Sequence, residues 1–201
     1  MLRKRTHDWP GDSHDARPTS LLEARFRFLR RHTDAAESEW QSSAMAQQVL
    51  IVYQSRSGTT LQLVESLVAG IESASDLVDI EITTVTRSAL LATSEDVRNA
   101  DALVIATPEH FGSMAGATKV FFEEIWDECL DQTRGLPWQL LVKAGTDGAQ
   151  TAEGVQKLAK AQGWKQFRPP LLVVGGVTET ALDGAFELGG LLAVSLDNEL
   201  I

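Results

Sequence analysis

From Gln47 onward, short apolar runs alternate with stretches whose apolar residues recur at helical spacing. The runs are Val49–Tyr53, Ala102–Ala106, Leu140–Ala144 and Leu171–Val174. Each is too short for a helix and almost free of polar residues, as expected of strands buried on both faces. Between them, Leu61, Val64, Val68 and Ile71 line one helical face, and Phe121, Phe122, Ile125 and Trp126 line another over 119–130. Leu182, Phe186, Leu188 and Leu192 line a closing helix over 180–196. This alternation predicts a doubly wound α/β fold, a parallel sheet with helices on both faces. Val78–Thr83 differs, because it alternates strictly between apolar and polar residues and so reads as an edge strand. The run that follows Pro169-Pro170 also suits an edge, since proline cannot donate to a ladder. Edge positions for the second and fifth strands fit a five-stranded sheet of order 2-1-3-4-5.

Composition narrows the function. The 201 residues, 43% hydrophobic and 23% charged, suffice for one sizeable core. No run approaches the ~18 apolar residues of a membrane span, and no apolar stretch follows the first arginines as in a signal peptide. A single cysteine, Cys129, allows neither an intramolecular disulfide nor a cysteine-based metal cluster, and with the missing leader it points to the cytoplasm. Residues 1–44 carry eight Lys/Arg against seven Asp/Glu, whereas 45–201 carry ten against twenty-one. So acidic a domain repels phosphodiester backbones, which argues against nucleic acid as a partner. Residues 1–44 form an N-terminal extension. Its first 18 residues have the composition of a disordered segment, and Leu21, Leu22, Phe26 and Leu29 give 19–40 an amphipathic helical pattern. A natural start at Met45 would make that extension an upstream addition.

In such folds a ligand sits outside the carboxyl ends of the strands, where the order reverses. Three segments occupy those ends. After the first strand, Ser55-Arg56-Ser57-Gly58-Thr59-Thr60 leads into a helix. Hydroxyls, backbone N–H groups and a helix N-terminus can cradle a phosphate, although a plain cap and turn is the simpler alternative. No lysine of the triphosphatase loop is present, and no G-x-G-x-x-G follows a strand. After the third strand comes Thr107-Pro108-Glu109-His110-Phe111-Gly112-Ser113-Met114-Ala115-Gly116. Pro108 stiffens the turn, Gly112 allows close backbone approach, and Phe111 offers a flat apolar surface. The alternative for Phe111 is a loop anchor. His110, the only histidine of residues 45–201, is able to act as a hydrogen-bond or proton donor, with an inert surface side chain as its alternative. Glu109 reads most simply as a solvated carboxylate. After the fourth strand, Ala144-Gly145-Thr146-Asp147-Gly148 presents backbone N–H groups suited to negative charge, or a turn that opens a helix near Gln150.

The hexapeptide Ser55–Thr60 resembles the phosphate loop of flavodoxin-like proteins, Ser/Thr-x-Ser/Thr-Gly-x-Thr/Ile. The decapeptide from Thr107 resembles the T-P-x-x-F/Y-G-x-M loop of flavodoxin-like NAD(P)H-dependent reductases, including WrbA-type quinone oxidoreductases. The likeness covers about residues 47–196. It implies a flavodoxin-like fold and an FMN whose phosphate lies at Ser55–Thr60. The backbone around Glu109, His110 and Phe111 would then edge the isoalloxazine ring, and the 144–148 loop would face its pyrimidine end. NAD(P)H is the implied co-substrate and a quinone or similar small molecule the acceptor, with no side chain needed as acid or base. WrbA-type assembly implies a homo-oligomer. A flavodoxin-type electron carrier is the chief alternative, and a non-redox FMN-binding module the second. Carriers usually sandwich the ring between two aromatics, and the 144–148 loop has none.

Overall fold

The computed structural model describes residues 46–198. The extension over 1–44, with its helical pattern at 19–40, lies outside the described residues. In chain order the elements are β1 (Gln47–Tyr53), α1 (Thr59–Ala74), β2 (Ile82–Ser88), α2 (Ser94–Arg98), β3 (Ala102–His110), β4 (Ser113–Met114), α3 (Gly116–Cys129), β5 (Pro137–Ala144), α4 (Ala149–Ala161), β6 (Lys165–Gln166), β7 (Leu171–Val174) and α5 (Glu179–Asp197). Strands β2, β1, β3 and β5 pair in parallel in that order, and β6 and β7 share the next position beside β5. This is the expected order, with the fifth strand split in two.

The central strands are apolar throughout because both faces are covered. On one face Leu50, Val52, Leu103, Ile105, Leu140 and Val142 pack with Phe121, Phe122 and Ile125 of α3 and Val155 of α4. Cys129 is buried in this layer, and burial pushes its thiol pKa up. On the other face Val49, Ile51, Val104 and Leu141 meet Leu63, Leu67 and Ile71 of α1 and Leu188 and Leu192 of α5. Each such buried side chain contributes about 2 kcal/mol.

Two helical faces are rotated from the expected ones. Leu63, Leu67 and Gly70 centre the buried side of α1, while Leu61 and Val68 are only half-buried. On α5 the centre is Ala185 and Gly189, and Phe186 lies partly exposed. The reason is the close approach of α1 to α5. A Cβ on Gly189 would lie 3.0 Å from both Ile71 N and Leu67 C, with the Leu67 carbonyl oxygen nearer still. Small residues therefore occupy the seam, and larger apolar ones flank it.

The second strand begins later than expected, at Ile82 rather than Val78. Ile80 and Ile82 do pack on the α1–α5 side, so the alternation identified the correct face. Its start is decided by β1, whose first residue pairs with Ile82 and whose Gln47 N–H donates to Glu81 O at 2.8 Å. At the opposite edge, Pro169-Pro170 interrupts the ladder between β6 and β7. The buried Gln139 of β5 spans the gap: its amide donates to Pro169 O at 3.1 Å and its Oε1 accepts from Arg168 N at 3.1 Å. A side chain thus replaces the pairing that the prolines remove.

Candidate functional site

Because β1, β3 and β5 are neighbours in the sheet, the segments that follow them lie side by side at its carboxyl edge. The first is a tight strand-to-helix turn. Gly58 is left-handed, φ +87°, and precedes the first residue of α1. Ser55 Oγ accepts from Leu61 N at 3.2 Å, so this serine caps the helix from across the loop. The Ser57 and Thr59 hydroxyls share a hydrogen bond of 3.1 Å. Arg56 is exposed, and Thr60 is buried at 1% exposure. The N–H groups of Ser57, Gly58, Thr59 and Thr60 donate to no acceptor among the described residues. A Cβ on Gly58 meets no atom within 4 Å. Unused donors around an open space at the start of a 16-residue helix fit a phosphate group.

The segment after β3 is not the open loop expected from its sequence. Thr107–His110 continue the strand, and Ser113–Met114 fold back on it as a hairpin, with Glu109 opposite Met114 and His110 opposite Ser113. Pro108 therefore stands within a strand rather than stiffening a turn. It is tolerated because β1 ends level with Ala106, whose carbonyl accepts from Gln54 N at 2.9 Å. Peptide groups alternate sides along a strand, so Pro108 turns its missing N–H to the side where β1 has ended. Thr107 is wholly buried. Its Oγ1 accepts from Thr118 Oγ1 at 2.9 Å and from Ala115 N at 3.2 Å, which fastens the hairpin to α3.

At the hairpin tip, Phe111 and Gly112 have φ +54° and +72°, the signs of a type I′ turn. Asparagine or glycine normally takes the first of these positions. A phenylalanine there costs about 1–2 kcal/mol, and this one is also fully exposed at 108%. The fold gains no packing from it. His110 is half-buried on the strand beside it.

The 144–148 loop meets the hairpin. Ala144 is buried, and its carbonyl accepts from Gly175 N at 3.0 Å and Lys143 Nζ at 3.2 Å. Asp147 Oδ1 accepts from Ala149 N at 2.8 Å, capping α4. Gly148 is required by packing, since its Cβ would fall 3.0 Å from Ala144 Cβ, while Gly145 is open. Glu109 Oε2 accepts from Thr146 Oγ1 at 2.8 Å and from Thr146 N at 3.1 Å. The Thr146 hydroxyl first, then its N–H, and more weakly the N–H groups of Gly145 and Gly148, hold the Glu109 carboxyl below the usual carboxylate range. Glu109 is therefore a bridge between two loops and not a free solvated group. Sequence reasoning missed two further neighbours. Lys143 lies beside Pro108 in the ladder, and Gln150 Oε1 lies 3.2 Å from where a Gly112 side chain would begin. Their positions along the chain carried no signal of either placement.

The fold and the position of these segments define a flavodoxin-like α/β protein. The sequence pattern of the NADPH-dependent FMN reductases matches residues 42–164, and the chain belongs to that family. The pattern covers all three segments and ends before β7 and α5. No curated protein matches the chain. Among solved structures it is similar to a flavodoxin from the domain Archaea, 19% identical with TM-score 0.63 over 74% of this chain and 98% of that one. It is similar to a WrbA-like flavodoxin from Agrobacterium tumefaciens, 15% identical with TM-score 0.61 over 77% and 99%. A flavodiiron core from Synechocystis is 16% identical with TM-score 0.62 over 78% of this chain, which spans only 37% of that larger protein. Among the described residues, no helix is long and apolar enough to cross a membrane.

Proposed function

We propose that this chain binds FMN at the carboxyl edge of its sheet and acts as an NAD(P)H oxidoreductase toward a quinone or similar small acceptor. The observation that carries the reading is Phe111, a fully exposed aromatic held in a disfavoured conformation at the same carboxyl edge of the sheet as the Ser55–Thr60 turn. Strain and exposure together call for a ligand-based explanation. Bound FMN would supply the centre that takes a hydride from nicotinamide and delivers two electrons, with solvent protons, to the acceptor. Ser55–Thr60 would hold the phosphate with neutral donors, suited to a cofactor that is retained and not hydrolysed. Phe111 and the backbone of Glu109, His110 and Gly112 would edge the ring. Ala144–Gly148 bring no aromatic, leaving one ring face open for a planar co-substrate. The single cysteine, a buried thiol, supports a reducing, cytoplasmic setting.

One observation favours an electron carrier instead: twenty-one acidic against ten basic residues over 45–201 would suit docking to basic partners. Purified full-length chain, titrated with FMN and assayed for oxidation of NADPH or NADH by a quinone, separates the readings. FMN binding with turnover supports the enzyme, and FMN binding without turnover, but with reduction through a partner reductase, the carrier. Failure to bind FMN refutes both.

A further inference from the structure

In the 144–148 loop, exposed over 145–147, the two donors of Thr146 are taken up by the chain itself. Thr146 gives both its hydroxyl and its N–H to Glu109, at 2.8 and 3.1 Å. The carboxylate is not needed there as a cap, because α4 has its own in Asp147, whose Oδ1 takes the Ala149 N–H at 2.8 Å. It is not needed to hold the hairpin, which is tied to α3 through Thr107, Thr118 and Ala115 and paired along β3–β4. The side chain is only half-buried, so it is able to turn into water without leaving an unsatisfied buried charge. Gly145 beside it has no protein atom within 4 Å of a Cβ position. The result is a pair of Thr146 donors, at the edge of the proposed cofactor site, filled by an acceptor from the chain itself.

We infer that the Glu109 carboxylate is a tethered stand-in for the polar edge of the flavin ring. It satisfies the Thr146 donors whenever no ring is bound and must surrender them when the ring enters, so that Glu109 sets the affinity for the ring. This inference rests on the FMN reading above. A carboxylate oxygen and the carbonyl oxygens of the flavin's dione edge both accept from such donors, so the exchange conserves the Thr146 hydrogen bonds and its cost is that of releasing the carboxylate to water.

The test uses the full chain as wild type, Glu109→Ala and Glu109→Gln. The ligands are FMN, lumiflavin, which has the ring without the phosphate chain, and inorganic phosphate. Binding is read by flavin fluorescence and calorimetry, with circular dichroism for folding. The expected result is that Glu109→Ala binds FMN and lumiflavin more tightly by a similar factor, about tenfold, with phosphate binding unchanged. Glu109→Gln, whose amide oxygen still accepts from Thr146 but without charge, should shift the same way by less. If the alanine variant does not fold, the glutamine variant alone decides by the sign of its shift. Lumiflavin bound equally or more weakly by the folded variants overturns the inference and makes Glu109 a holder of the ring or loop. A folded wild type that takes up no FMN overturns the flavin reading itself, and this inference with it.

Discussion

Gly58→Ala tests the proposed phosphate cradle separately from the proposed ring site. At φ +87° an alanine pays about 1–2 kcal/mol for the left-handed conformation, partly offset by about 0.4–1 kcal/mol from a less flexible unfolded chain. The net loss, about 1 kcal/mol, lowers Tm by roughly 2–4 °C for a domain of this size. The protein should remain folded at room temperature. The new methyl group meets no protein atom within 4 Å apart from its chain neighbours, so it projects into open space at the loop, where on the proposed reading it would crowd a phosphate held by the N–H groups of Ser57–Thr60. Displacing a phosphate from two of those donors, at about 1.5–3 kcal/mol for each hydrogen bond to a charged group, weakens FMN binding by about 10²-fold or more. Riboflavin lacks the phosphate and should bind both proteins alike. Fluorescence titration of wild type and variant with the two ligands measures this directly. An FMN affinity changed by less than roughly threefold, or a riboflavin loss as large as that of FMN, refutes the placement of the phosphate at this loop.

Phe111→Asn puts a residue suited to the left-handed turn at the hairpin tip, so thermal stability should hold or rise by about 1 kcal/mol while FMN affinity falls. An affinity unchanged in that variant would remove Phe111 from the site. Gln139→Leu keeps the volume but strands the Arg168 N–H and Pro169 carbonyl at the split edge, and urea unfolding should show a loss of about 2 kcal/mol. The Glu109 carboxyl has a depressed pKa in the folded protein. Its bond to Thr146 therefore contributes stability above the ordinary carboxylate range of about pH 4 and loses it as pH falls through the lower folded value. The Tm difference between wild type and Glu109→Gln should shrink on acidification through that window; a constant difference would mean the bond does not depend on charge.

These outcomes bear on how the site divides its work. Neutral hydroxyl and backbone donors gather at Ser55–Thr60, an exposed aromatic stands at Phe111, and the Glu109 carboxylate links the hairpin to the loop beside it. Rigid support lies beneath. Thr107, buried and bonded to Thr118, sets the hairpin on α3, and the close α1–α5 seam at Gly70 and Gly189 fixes the helix that begins at the cradle. On the proposed reading, a site built on such supports would need little backbone movement to take a planar ligand, with the Glu109 side chain the group that turns.

Much of this was written in local pattern. Continuous apolar runs separated by helical periodicity specify a parallel sheet covered on both faces, because period and burial are properties of neighbouring residues. The alternating second strand and the prolines before the fifth marked the edges, and glycine and hydroxyl residues at a strand end marked the turn from β1 into α1. Tertiary structure decided what depends on partners distant in the chain. The start of β2 followed from where β1 begins, and the buried faces of α1 and α5 from how closely those helices approach. Pro108 became a strand residue because β1 ends beside it, and Gln139 became a substitute for backbone pairing 30 residues away. Glu109 reads as an ordinary solvated carboxylate until the fold sets Thr146, 37 residues further on, against it. Periodicity reports which way a residue faces, but only the assembled sheet determines which residue it meets.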